Sequence, residues 1–322
     1  MTTLLDERQG HRRGAEGAEE TQRAPLRLLG VLRASAVSSR MGDYMVLARP
    51  RIAVLVLVTV AVGAEVAARG APPLALLVHA LLGTLLVAAA SSALNQVLEV
   101  DTDRLMKRTA TRPLVVGRLS KVEVVSVSLV AAAAGLAELA LFASVAAAVV
   151  AASSLAIYVL AYTPLKRRTS LNTLVGAIPG ALPPVIGWAA VTGRVDLGAW
   201  AIFAIVFVWQ FPHFLAIAWL NREDYERAGL KMLPAVDGGE RITGWQMMNY
   251  CLALVPVSLA PAVLQLAGRA YFLGALYLGV AFLATALLFT IHESRASARR
   301  LLVASLVYLP ALLALLCLDG PA

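Results

Sequence analysis

The chain has 322 residues, 28 Lys plus Arg against 20 Asp plus Glu, and a formal net charge of +8; 59% of it is hydrophobic and only 15% charged. Soluble globular domains carry about 25% charged and roughly 45–50% apolar residues. The composition, with a mean hydropathy of +0.75, therefore excludes an ordinary soluble enzyme. The apolar residues lie in long runs without two-residue alternation, which selects helices over a barrel: the fold class is all-α integral membrane.

Residues 1–40 mix Arg, Glu, Gly and Ala without apolar periodicity and read as a disordered cytoplasmic tail. The first long apolar run begins only near Ile52, so no signal peptide is expected. The membrane domain is expected over 41–320. It opens with an interfacial stretch, Met41 to Arg51, that ends in Arg49-Pro50-Arg51.

A span needs roughly 20 apolar residues. Nine are predicted, over 52–68, 74–97, 122–141, 144–162, 172–192, 199–220, 249–268, 271–291 and 301–318. No polar loop separates the third from the fourth, and a tight turn near Glu138 and Phe142 is expected there. With the N-terminus inside and the C-terminus outside, 25 of the 28 Lys and Arg fall on the cytoplasmic face; Arg69, Arg194 and Arg269 are the other three. That asymmetry sets the expected orientation in a cell (cytoplasmic) membrane of bacterial type. It is read as topology and anion binding, with no nucleic acid partner.

Two inner loops carry more than basic charge. At the end of the second span Asn95, Glu99 and Asp103 recur every four residues, on one helix stripe. Carboxylates this close to hydrocarbon are costly and usually functional, and three oxygen ligands suit a hard cation such as Mg²⁺. Asn95 and Asp103 lie about 12 Å apart along a helix axis. One ion therefore reaches both only if the helix unwinds; otherwise the stripe serves more than one ion. Lys107, Arg108 and Arg112 follow directly, and bases beside metal-binding acids are what a diphosphate requires.

The sixth span contains Trp209-Gln210-Phe211-Pro212-His213-Phe214 and ends at Asn221-Arg222-Glu223-Asp224-Tyr225. Pro212 frees a carbonyl and is expected to kink the helix. Asn221 and Asp224, three apart, offer a second oxygen pair. Ala228 to Pro234 is a compact loop suited to act as a lid. Between the spans lies Tyr162-Thr163-Pro164-Leu165-Lys166-Arg167-Arg168-Thr169, followed by Asn172. Glu65, His79 and Glu138 are expected to be structural, His292 to suit a helix C-terminus, and Cys251 and Cys317 to be buried small hydrophobes.

Taken together, Asn95-x-x-x-Glu99-x-x-x-Asp103-x-x-Met106-x-Arg108-Thr109 resembles the signature of the UbiA superfamily of intramembrane prenyltransferases. Glu at the middle position, Tyr162 to Thr169 with Asn172, Trp209 to Phe214, Asp224-Tyr225 and Met232-Leu233-Pro234 resemble its haem-farnesylating branch. The resemblance covers roughly 43–320. It implies a nine-helix UbiA-type bundle around a lateral cavity, capped by the two polar loops. It further implies farnesyl diphosphate and haem B as substrates, haem O as product, and Mg²⁺ on Asn95, Glu99, Asp103 and Asp224. Lys107, Arg108, Arg112, Lys166, Arg167, Asn221, Arg222 and Tyr162 would bind substrate, with His213 a haem contact and Tyr158 or Phe207 facing the allylic cation. Membrane lipid surrounds such a protein, and a haem A synthase or terminal oxidase assembly is a possible partner. Two alternatives remain at this point: a prenyltransferase for a quinone or chlorophyll precursor, and a cation-coupled transporter.

Overall fold

The computed structural model describes residues 40–236 and 238–320, so the expected tail lies almost wholly outside the described residues. The chain divides into two units at Val46–Leu47; of the first, the described residues 40–46 are helical. The second is a bundle whose described residues include nine helices long and apolar enough to cross a membrane. These are α1 (Pro50–Ala68), α2 (Leu74–Leu98), α3 (Lys121–Phe142), α4 (Val145–Leu165), α5 (Asn172–Thr192), α6 (Leu197–Leu220), α7 (Arg241–Val263), α8 (Arg269–Ile291) and α9 (Arg295–Leu318).

Each sequence-predicted span corresponds to one of these helices, and the differences lie at ends and breaks. The helix containing α7 starts at Gly239, two to three turns before the expected 249, because its polar first turns remain helical outside the apolar stretch. It ends early: Leu259 interrupts it after Pro256, and Gln265 has φ 59°. Pro212 lies inside a helix that runs unbroken from Leu197 to Leu220, so the helix is not interrupted there. A break does occur in α5, at Leu182 before Pro183.

Helix starts follow their capping residues. Ser120, Ser144 and Asp196 accept from the backbone N–H of Glu123, Ala147 and Gly198 at 3.1, 3.0 and 3.1 Å. Ser144 thus makes the tight α3–α4 turn expected near Phe142, and its hydroxyl also donates to Ala189 O at 2.7 Å.

Neighbours in sequence pack side by side, and α9 returns to α6 and α1, closing the ring. The inner wall is α5 and α6, which are 67% and 61% buried, against 17–39% for the other spans. Lipid offers no hydrophobic drive to bring helices together, so close approach of small residues must supply it. At the α1–α5 crossing, a Cβ on Gly63 would collide with Pro184 O and one on Gly187 with Val60 O. Gly83 of α2 and Gly135 of α3 face each other in the same way, each site's Cβ falling 2.7–2.9 Å from the other's carbonyl oxygen.

Three of the polar groups within the spans tie helices together or brace them. His79 Nδ1 lies 2.7 Å from Glu138 Oε1 and its ring stacks on Phe142 at 4.7 Å, locking α2 to α3 at the end remote from the two acidic loops. Trp209 Nε1 donates to Ser305 O at 2.9 Å, tying α6 to α9. Cys251 is buried, Cys317 is partly buried, and both are free thiols.

Candidate active site

The acid stripe sits where α2 gives way. The helix ends at Leu98, Glu99 adopts φ −99° and ψ 3°, and a single helical turn, Val100–Asp103, follows. Asn95 and Asp103 are almost completely buried, at 0% and 1% exposure, so neither oxygen is solvated. Asn95 Nδ2 donates to Thr163 Oγ1 at 2.9 Å, and that hydroxyl donates to Tyr158 O at 2.8 Å. The Asn95 side-chain oxygen is left without a partner among the described residues.

Each acid is met by a cation, that of Glu99 from the loop after α4 and that of Asp103 from its own loop. Lys166 Nζ donates to Glu99 Oε1 at 2.6 Å, and Arg112 Nη1 donates to Asp103 Oδ2 at 2.5 Å. The second Asp103 oxygen, like that of Asn95, has no partner among the described residues. Burial raises the Asp103 pKa above its ordinary 3.8, although Arg112 pulls it down. Burial likewise lowers Arg112, with the repulsion of Arg49 in the same direction. For Lys166 burial acts against the charge, but Tyr162 and Glu99 outweigh it and the pKa rises. Its ammonium also stands 4.3 Å over the Tyr162 ring.

Tyr158 and Tyr162 reach this point through a backbone irregularity. Residues Ile157–Tyr162 form a π-helical turn inside α4, a feature frequent at functional sites. The two rings stand 5.3 Å apart. Gly176 of α5 is the surface under Tyr162, since a Cβ there would lie 2.5 Å from the ring.

These groups line one cavity of about 190 Å³, with Arg49, Arg108, Phe214, Ile217, Tyr225 and Met232 among its other walls. Arg49, just before Pro50, holds a left-handed backbone (φ 49°, ψ 66°), uncommon for a residue with a Cβ. The roof is a small apolar cluster of Met106 from the first polar loop with Ala218, Tyr225, Ala228, Leu230 and Met232. The loop expected to act as a lid is pinned: Lys231 N donates to Lys166 O at 2.7 Å, and Asn172 Nδ2 donates to Lys231 O at 2.9 Å.

Of the site residues expected from sequence, Glu99, Asp103, Arg108, Arg112, Tyr162 and Lys166 line the cavity, and Asn95 lies buried beside it. Lys107, Arg167, His213, Asn221, Arg222 and Asp224 are not among the lining residues. Asn221 turns back on its own helix, donating to Ile217 O at 2.7 Å, and Asp224 pairs with Arg227 at 3.0 Å. Arg222 lies over the Trp219 ring at 4.5 Å. Phe207, the alternative to Tyr158, stacks on Phe203 within α6 and meets Phe211 edge-on. His213 Nδ1 meets Ser305 Oγ at 2.8 Å; because Ser305 gives its own hydrogen to Leu302 O, the imidazole must donate, leaving Nε2 as a lone pair. Arg49, Tyr225 and Met232 were quoted as motif residues but not expected on the cavity wall. Their signal was the string of motifs at successive inner loops.

The donor set fits a hard cation in part. Two buried oxygens lack partners and two carboxylates are adjacent, whereas no three His, Cys, Asp or Glu side chains form a metal-binding group among the described residues. Magnesium is usually held this way, by one or two carboxylates with substrate phosphate and water completing the shell.

The profile of the UbiA prenyltransferase family matches residues 56–312. The protoheme IX farnesyltransferase of Solibacter usitatus (strain Ellin6076) is 43% identical over 290 residues, covering 87% of this chain and 99% of that protein. That of Koribacter versatilis (strain Ellin345) is 43% identical over 293 residues, 88% of this chain and 94% of the relative. Among solved structures, a UbiA homolog from Aeropyrum pernix K1 superposes with a TM-score of 0.64 at 23% identity, covering 81% of this chain and 97% of that one. A UbiA homolog from Archaeoglobus fulgidus bound to GPP and Mg²⁺ gives 0.59 at 19% identity, covering 85% and 99%. These two likenesses concern the fold.

Proposed function

This chain belongs to the UbiA prenyltransferase family, and on that premise we propose that it farnesylates haem B in the membrane. The farnesyl group passes from farnesyl diphosphate to a haem vinyl group, and water adds, giving haem O and diphosphate. The observation that carries the reading is the pairing of Glu99 with Lys166 and of Asp103 with Arg112 on one cavity wall. It stands in a chain 43% identical to protoheme IX farnesyltransferases over nearly their full length.

The cavity's residues divide the work. Asn95, Glu99 and Asp103 would hold Mg²⁺, which when bound supplies Lewis-acid polarisation of the diphosphate. Asp224, paired with Arg227 and not among the cavity's lining residues, would join that set on giving up that pair. Lys166, Arg112, Arg108 and Arg49 meet the phosphate oxygens and take up the charge that grows on the leaving group. The C1–O bond of farnesyl diphosphate breaks with its electron pair leaving on diphosphate. Tyr158 and Tyr162 present ring faces to the allylic cation. The vinyl π pair then forms the new C–C bond. Water captures the resulting cation beside the porphyrin, and its spare proton leaves with diphosphate.

We assign His213 as a haem contact on the lone pair of Nε2, which its bond to Ser305 leaves available. The site faces the cytoplasm, on the grounds of the basic inner loops. Membrane lipid holds both amphiphilic substrates, and a haem A synthase or oxidase assembly would receive the product.

The test is diphosphate release by the purified protein with farnesyl diphosphate and Mg²⁺. Release that requires haem B supports the reading. Release driven instead by an aromatic quinone precursor refutes the choice of acceptor.

A further inference from the structure

At the other end of the bundle lies a second cavity, of about 370 Å³, that farnesyl transfer does not use. It is bounded by Val66 and Ala67 of α1, Trp188 and Thr192 of α5, Leu197 and Gly198 of α6, and Leu264 and Leu266 after α7. Arg69, Arg194 and Asp196 stand in its rim.

Its donors outnumber its acceptors. Arg194 Nε reaches Asp196 Oδ2 at 3.4 Å, while the Arg69 guanidinium has no carboxylate partner among the described residues. Trp188 is 5% exposed, and its indole N–H is buried without an acceptor among the described residues. A buried donor left unpaired is costly and uncommon in native proteins. Charge placement adds to this. Among the Lys and Arg of the described residues, only Arg69, Arg194 and Arg269 lie in the connections at this end, and two of the three share the cavity. A cation after α1 suits that helix's negative terminus. This accounts for Arg69 but not for the unsatisfied indole, nor for the apolar wall beneath.

We propose that this cavity binds an anionic phospholipid. Arg69 and Arg194 engage the phosphate, the Trp188 N–H supplies a third donor, and an acyl chain lies along Leu264, Leu266 and Val66. The site is independent of the farnesyl-transfer reading.

Native mass spectrometry of the full chain, loaded with phosphatidylglycerol or phosphatidylcholine, tests it. Two guanidinium contacts near a membrane surface predict wild-type retention of phosphatidylglycerol on the order of tenfold above the Arg69→Gln/Arg194→Gln double variant. Trp188→Phe, which keeps an aromatic ring but loses the N–H with the pyrrole ring, weakens retention. Arg269→Gln, at the same end but outside the cavity, leaves it unchanged. Equal retention by wild type and a folded double variant, or equal retention of phosphatidylcholine by wild type, overturns the proposal. Displacement of the lipid by millimolar inorganic phosphate also overturns it, identifying a free-anion site.

Discussion

Lys166 lies 2.6 Å from Glu99 and 4.3 Å above the ring of Tyr162, so one ammonium joins the acid stripe of α2 to the aromatic wall of α4. The paired side chains are only 14% and 12% exposed, so the ion pair is poorly solvated. Removing one member of a buried pair strands the other, at a cost of about 3–5 kcal/mol. Lys166→Met should therefore lower both thermal stability and turnover, the latter by about 10²–10³-fold. Thermal melts and diphosphate release check both effects; unchanged turnover in an inserted variant would remove Lys166 from the site.

The Arg112–Asp103 pair makes a prediction about pH. Burial raises the Asp103 pKa and Arg112 opposes that rise. In Arg112→Gln the main force opposing burial is gone and only the Thr109 hydrogen bond still works against it, so the acid limb of the rate profile should move to higher pH. The stability linkage has a definite sign. A carboxyl whose folded pKa is raised favours folding most below the unfolded value, and that contribution is lost as pH rises through the folded pKa. Profiles of the two proteins that share an acid limb would contradict the coupling.

Glu138 and His79 brace the end away from the cavity. Glu138→Ala should lower the melting temperature, with a loss of about 0.5–1.5 kcal/mol for a part-buried hydrogen bond, and leave the turnover number unchanged. A drop in turnover without loss of stability would assign the pair to the reaction.

For His213, the Nε2 lone pair predicts a selective effect. His213→Phe should raise the KM for haem B and leave that for farnesyl diphosphate unchanged. Equal changes in both would show that the residue serves only the α6–α9 packing made through Ser305.

Helix close approach offers a further check on the fold. Gly187→Val places methyl groups against the Val60 carbonyl, and overpacking costs about 1–3 kcal/mol. Detergent melts should show the loss, whereas a variant as stable as wild type would disprove the α1–α5 contact.

Much of the fold was legible because nine apolar runs punctuated by basic loops leave few other solutions. What was not legible has local causes. The start of the α7 helix escaped because hydropathy sees only its apolar part, not the polar turns from Gly239. Asn221 and Asp224 were expected to share a helix face, but Asn221 (φ −113°, ψ 18°) is the joint between two helices, and the three-residue spacing loses its meaning across it. The π-turn at Ile157–Tyr162 re-aims two tyrosines, and apolar patterning carries no signal for one inserted residue. Glu99, Asp103, Arg108, Arg112 and Lys166 were legible because charge beside hydrocarbon is rare unless it has a task, and Tyr162 through the motif it opens with Lys166.

The central claim is that this cavity converts haem B to haem O. Its most direct test is expression in a host that makes only haem B, followed by mass spectrometry of the extracted non-covalent haems. The account predicts a new haem heavier by a hydroxyethylfarnesyl group, absent in Asp103→Ala although that variant inserts normally. Haem B alone, from cells whose inserted protein binds farnesyl diphosphate, would contradict it.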